Sequence, residues 1–140
     1  MFVVLLRHAE REPLGSDPDP SLSPAGRARA KLLAAMLADT GIDAVFTSEL
    51  KRTKETAAPI SEMLGLSPVE LADVAAAKEQ VRSAGRRVLV VGHSNTVPEL
   101  IAALNGPLDV SIGETEFNRL FVLNVQKTAS HLLSMKYGAM

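Results

Sequence analysis

FVVLLRHAE, residues 2–10, sets an unbroken apolar run, Phe2 to Leu6, directly against an arginine and a histidine. A run that is apolar on successive residues reads as a strand covered on both faces, the kind found inside a parallel sheet. Arg7 and His8 then stand where that strand ends. RRVLVVGHSN, residues 86–95, repeats the arrangement: the strand Arg87–Val91 leads through Gly92 into His93. Open α/β sheets bind ligands beyond the carboxyl ends of their strands, where the connections diverge to opposite faces. Arg7, His8 and His93 are therefore expected to meet at one edge of one sheet.

Working outward, short β-branched runs alternate with longer Ala/Leu-rich stretches, as in strands joined by helices. The loop Glu12 to Leu22 is rich in proline, glycine and aspartate. Ser23 reads as an N-cap with Pro24 in the first helical position, and the helix runs to about Asp39, before Gly41. Ala44–Thr47 is a second strand. A second helix covers about Leu50 to Leu64, with a kink expected at Pro59 and a stop at Gly65. Val69–Leu71 reads as a short third strand and Ala72–Ala84 as a helix closing at Gly85. A helix follows His93, with Pro98 near its start and Gly106 past its end, and Arg119–Val125 and His131–Lys136 form a final pair of strands. The pattern predicts an α/β fold, a three-layer αβα sandwich around a mostly parallel sheet, with residues 1–140 as one catalytic domain.

Composition narrows the functional classes. Fifteen Lys+Arg against 16 Asp+Glu give a formal net charge of -1, which provides no electrostatic footprint for nucleic acid or an anionic membrane. There is no cysteine, so thiolate catalysis and thiolate metal sites are excluded. The N-terminal apolar run is too short for a signal peptide or a membrane span and lacks a basic segment before it. A cytoplasmic protein is expected, and nothing in the sequence sets its oligomeric state.

TSELKRTKETA, residues 47–57, leaves the strand Ala44–Thr47 at the same sheet edge and puts Arg52 in the first turns of a helix. Two guanidiniums and two imidazoles make a pocket for a phosphoryl group, because the planar fork of arginine bonds two oxygens at once. A metal site built from His8, His93 and Glu10 is opposed by the neighbouring cations Arg7 and Arg52.

Four segments in order, LLRHAE (5–10), SLSPAGRARA (21–30), TSELKRTKETA (47–57) and VVGHSNTV (90–97), resemble the histidine phosphatase superfamily in its phosphoglycerate-mutase-like branch. They match its strand followed by Arg-His-Gly, its Leu-Ser/Thr-x-x-Gly helix start, its Ser-x-Leu-x-Arg-x-x-x-Thr-Ala segment and its second-histidine motif. The resemblance implies a phosphoglycerate-mutase-like fold, with His8 as a nucleophile that takes up a phosphoryl group as phosphohistidine. Arg7, Arg52 and His93 would hold the oxygens, with no metal or other cofactor. Insertions that enclose a retained phosphoglycerate in the family's mutases are lacking, which favours a phosphatase resembling its compact bacterial members. A small phosphorylated substrate or a phosphoprotein is the implied partner. The alternative is a phosphate-binding pseudoenzyme without efficient turnover.

Two departures from the family pattern bear on that choice. Ala9 replaces the glycine of Arg-His-Gly, which is acceptable unless its backbone needs a positive φ. The interval that carries a carboxylate acid in larger members is short here. Glu70, Asp73, Glu79, Glu10 and Glu99 are the candidates, with no motif to choose among them. SIGETEFNRLFVL, residues 111–123, reads either as pocket lining through Glu116, Phe117 or Arg119, or as a loop leading to an edge strand. Asn95 and Thr96 read first as a helix cap. His131 reads as an ordinary strand residue, Glu49, Lys54 and Glu55 as a solvated helix face, and Arg11, Arg27, Arg29, Arg82, Arg86 and Arg87 as surface charges. If the fold holds, the rings of His8 and His93 approach to about the width of a phosphoryl group, with nitrogens about 3–5 Å apart.

Overall fold

The computed structural model describes residues 1–139. In chain order its elements are β1 (Phe2–Arg7), α1 (Pro24–Leu37), β2 (Ala44–Thr47), α2 (Lys51–Leu64), β3 (Val69–Glu70), α3 (Val74–Ala84), β4 (Arg87–Gly92), α4 (Thr96–Ala103), β5 (Arg119–Asn124) and β6 (His131–Lys136). The six strands form one sheet in the order β3-β2-β4-β1-β5-β6. The pairs β1–β4, β2–β4 and β2–β3 are parallel, and β5 joins β1, and β6 joins β5, in antiparallel pairing. The sheet is therefore parallel through its centre and antiparallel at one side.

The apolar run of β1 is explained by what covers it. Val3 and Leu5 pack with Ala77 and Val81 of α3 and Val97, Leu100 and Ile101 of α4. Val4 and Leu6, pointing the other way, pack with Leu33, Ala34 and Leu37 of α1 and Ala57 and Ile60 of α2. Successive side chains alternate faces, so a strand with a helical layer on both sides must be apolar at every position. Leu5 and Leu6 are each fully buried, and burial of one such side chain contributes about 1.5–3 kcal/mol.

The helix starts follow their capping chemistry. Ser23 Oγ accepts the Gly26 N–H, and Pro24 occupies the first turn of α1. Asp73 caps α3 through the Ala76 N–H, so that helix begins later than its alanine content predicts. Helix α2 continues through Pro59 to Leu64 and ends on Gly65 at φ 67°, a left-handed cap that glycine adopts without steric cost. Gly26 serves close approach instead: a Cβ there would lie 2.0 Å from the backbone oxygen of Glu10. Helix α1 can rest against the segment that follows His8 only because residue 26 has no side chain.

The connection after β1 leads to α1 on one face, and the connection after its parallel neighbour β4 leads to α4 on the other. Between those two strand ends the backbone opens a crevice. His8 N–H donates to the Gly92 carbonyl at 2.8 Å, which ties the two histidine segments together at the base of that crevice. Among the described residues, no helix is long and apolar enough to cross a membrane.

Candidate active site

A cavity of about 470 Å³ opens at the divergence of β1 and β4, and Arg7, His8, Arg52 and His93 all line it. The two imidazole rings have centroids 5.3 Å apart with planes at 63°. His8 is only 3 % exposed. Its Nδ1 lies 2.7 Å from the Ala9 carbonyl oxygen, which fixes the proton on Nδ1 and leaves Nε2 with a lone pair. Ala9 is itself anchored, its N–H donating to Thr56 Oγ1 at 2.9 Å, while that hydroxyl donates to the Arg52 carbonyl. Asn105 is the one non-glycine residue with positive φ among the described residues, so the backbone at Ala9 makes no demand for glycine.

His93 is held from two sides. Its N–H donates to Thr96 Oγ1 at 3.0 Å, and its Nε2 lies 2.9 Å from Ser48 Oγ. Ser48 is fixed in turn against Thr53 Oγ1 at 2.9 Å. The hydroxyls of TSELKRTKETA thus orient the second histidine across the cavity.

The arginines are arranged differently from a structural ion pair. Buried Arg7 Nε, Arg52 Nε and Arg52 Nη1 find no hydrogen-bond partner, although buried donors are nearly always satisfied. Such donors on the wall of a polar cavity are suited to an anion. Burial lowers the pKa of both guanidiniums, and the nearby Arg11 lowers them further. The imidazoles respond in the same sense. Burial, with Arg7, His93 and Arg52 adding to it, takes His8 down to about 3. Burial and then Arg52 lower His93. Both rings are therefore neutral near pH 7.

This shift has a measurable signature. A free histidine titrates near 6.5, so below that value the unfolded chain takes up a proton that folded His8 refuses. The contribution is absent as a penalty above pH 6.5, and stability is lost as the pH falls toward 3. Urea unfolding of the wild type should lose about 1.4 kcal/mol more per pH unit than His8→Asn between about pH 6 and 4. Equal slopes would contradict the burial of a neutral ring.

The other residues singled out from sequence sort clearly. Glu10 turns away from the cavity: Arg29 Nε and Nη2 donate to its two carboxylate oxygens at 2.8 and 3.0 Å. Burial opposes its ionisation, yet the bonds from Arg29 prevail and hold the carboxyl below its usual range. Arg29 is thus a buried anchor and not a surface charge, and it also donates to the Tyr137 and Ala139 carbonyls. Glu70 pairs with Lys54 at 2.5 Å, and Glu79 and Glu99 are exposed. Asp73 reaches the cavity wall but commits Oδ1 to capping α3.

Glu49 and Arg11, read as solvated charges, both line the cavity, as does Asn95. Asn95 provides no side-chain cap to α4. Glu55 accepts the Leu22 N–H, so that helix face is only partly free. His131 is exposed on β6. The stretch 111–118 leads into β5, which lies inside the sheet and not at its edge. Among the described residues no cluster of histidine and acidic side chains is arranged to hold a metal ion.

Similarity to known proteins follows the same segments. A phosphoserine phosphatase 1 from Hydrogenobacter thermophilus is 41% identical over 73 residues, 49% of this chain and 35% of that protein. The chain thus spans about a third of the length of this curated relative. The tungstate complex of the protein histidine phosphatase SixA superposes with a TM-score of 0.79, covering 97% of each chain at 21% identity. A mycobacterial glucosyl-3-phosphoglycerate phosphatase, Rv2419c, superposes at 0.74, covering 98% of this chain and 99% of its own at 17% identity. These likenesses establish the same fold, phosphoglycerate-mutase-like. Residues 3–75, which hold β1, the loop behind it, α1, β2 and the arginine of α2, match a single family, and the chain belongs to the histidine phosphatase superfamily, branch 1.

Proposed function

We propose that the chain acts as one catalytic domain, a metal-independent phosphatase that works through a phosphohistidine on His8. One observation carries the reading: a buried, neutral imidazole with Nδ1 committed to the Ala9 carbonyl faces a cavity walled by arginine donors that have no partner. Nε2 attacks phosphorus, the new N–P bond forms as the bond to the leaving group breaks, and the leaving group takes the electron pair. Arg7, Arg52 and His93 hold the three non-bridging oxygens as charge shifts between them. Water then attacks the phosphohistidine, releasing phosphate and restoring the ring.

The supply of a proton to the leaving group sets the substrate preference. Glu49 lines the cavity without a hydrogen bond among the described residues, and it is the carboxylate best placed for this role. Its position on an open rim favours leaving groups that depart with little acid assistance. A phosphohistidine side chain meets that condition, as does an aryl phosphate. The similarity of fold to SixA supports a phosphohistidine substrate, and the likeness to a phosphoserine phosphatase keeps small phosphomonoesters in the range.

The test is a panel of p-nitrophenyl phosphate, a phosphohistidine peptide, phosphoserine and sugar phosphates, each with and without EDTA. Turnover of the first two should exceed that of the alkyl esters by about 10²-fold or more, the usual worth of acid assistance, and should be unchanged by EDTA. Tight phosphate binding with no turnover of any substrate would replace the enzyme by a phosphate-binding pseudoenzyme.

A further inference from the structure

The guanidinium of Arg7 is held by a part of the chain more than 100 residues away. Nη1 donates to the carbonyls of Gly113, Glu114 and Glu116 at 3.2, 2.6 and 3.1 Å. Cζ of the same group lies over the Phe117 ring, 4.1 Å from its centroid, and that centroid is 6.0 Å from the centroid of the His8 ring. The turn that gathers these carbonyls is closed on itself. Glu116 N–H donates to the Gly113 carbonyl at 3.0 Å, and the Gly113 N–H donates back to Glu116 Oε1 at 2.8 Å. Arg119 steadies the other carboxylate oxygen at 3.6 Å.

We propose that the closed turn Gly113–Glu116, with Phe117, is a positioning device for Arg7, and that Glu116 governs anion binding through it while lying outside the cavity. The proposal rests on the phosphatase reading of the site. A free arginine side chain has several rotatable bonds and loses rotamer freedom when it is fixed. Here Nη1 is held by three carbonyls and Cζ rests over Phe117 before any ligand arrives. The buried Nε, unpartnered, is left for the anion.

The kind of clamp matters as much as its presence. Among the described residues no carboxylate lies within ion-pair distance of Arg7. Carbonyl dipoles orient the guanidinium without neutralising it, whereas a carboxylate would compete with the phosphoryl group for the same donors. Arg29 shows the contrast within one molecule, since it is paired with Glu10 and fully spent on structure.

The experiment is a double-mutant cycle read by vanadate calorimetry and by kcat/KM for p-nitrophenyl phosphate. Glu116→Ala is expected to weaken vanadate binding about tenfold, with a comparable loss in kcat/KM, because a small misplacement at a reacting centre is costly. Glu116→Gln, which keeps an oxygen for the Gly113 N–H, should restore both to within about twofold. In an Arg7→Ala background Glu116→Ala should have no further effect, since the two residues act as a unit. The proposal fails if Glu116→Ala binds vanadate as the wild type does, or if its effect persists undiminished without Arg7. Failure of the wild type itself to bind vanadate would remove the reading of the site, and the positioning role with it.

Discussion

His8→Ala is expected to abolish turnover, lowering kcat for p-nitrophenyl phosphate by about 10⁴-fold or more, because the nucleophile has no substitute within the cavity. The reason lies in the ring's surroundings. His93 is the one other imidazole on the wall, and its Nε2 is engaged by Ser48. No cysteine exists in the chain. Brief mixing of wild type with a labelled aryl phosphate, followed by quenching in base, should trap one acid-labile, base-stable phosphoryl group per chain. That label should be missing from His8→Ala. Activity surviving in the variant, or label recovered on another residue, would overturn the assignment. Binding of vanadate by His8→Ala should persist, since Arg7, Arg52 and His93 remain.

Arg52→Ala is expected to lower kcat/KM by about 10²–10³-fold, the usual worth of a donor directed at developing charge in a water-poor site. Arg52→Lys should recover little of it, because an ammonium cannot replace the two-point fork. The same substitution gives an unusual readout in stability. Arg52 leaves Nε and Nη1 buried and unpartnered, and burial together with Arg11 disfavours its charge. Removing a group that carries such costs should leave the urea midpoint unchanged or raise it. A structural arginine behaves in the opposite way. If Arg52→Ala kept full activity while unfolding more readily, its place in the site would be wrong.

The parts of this molecule that were legible in the sequence are those written in local patterns. The runs at Phe2–Leu6 and Arg87–Val91 lie side by side in the sheet because strands covered on both faces must be apolar throughout. Ser23, Pro24 and Gly65 mark helix ends through chemistry contained in a few neighbouring residues. Arg7, His8, Arg52 and His93 could be expected to line one cavity because each stands at, or within a few residues after, the carboxyl end of a parallel strand. What was not legible depends on partners remote in sequence. Nothing near Arg7 announces the carbonyls of residues 113–116, and nothing near Arg29 announces that Tyr137 and Ala139 close over it. Glu49 and Arg11 look like any surface charges until the cavity wall passes beneath them. Asp73 shifted the start of α3 because capping outweighed the helix propensity of Ala72.

The placement of β1 also sets when the site can exist during synthesis. Its ladder partners are β4, Arg87–Gly92, and β5, Arg119–Asn124, on either side. A ribosome adding about 5–20 residues per second needs roughly 6–24 s to travel from β1 to the end of β5. Until β4 is made FVVLL is a strand with two bare edges, and until β5 follows it keeps one, a natural client for a holdase and a point of vulnerability to aggregation. Arg7 also waits for its carbonyl clamp, which is made more than 100 residues after it. The first histidine motif is made well before the strands that flank it and the carbonyls that hold Arg7, so translation products truncated before β4 should carry that motif yet lack the crevice and bind no vanadate.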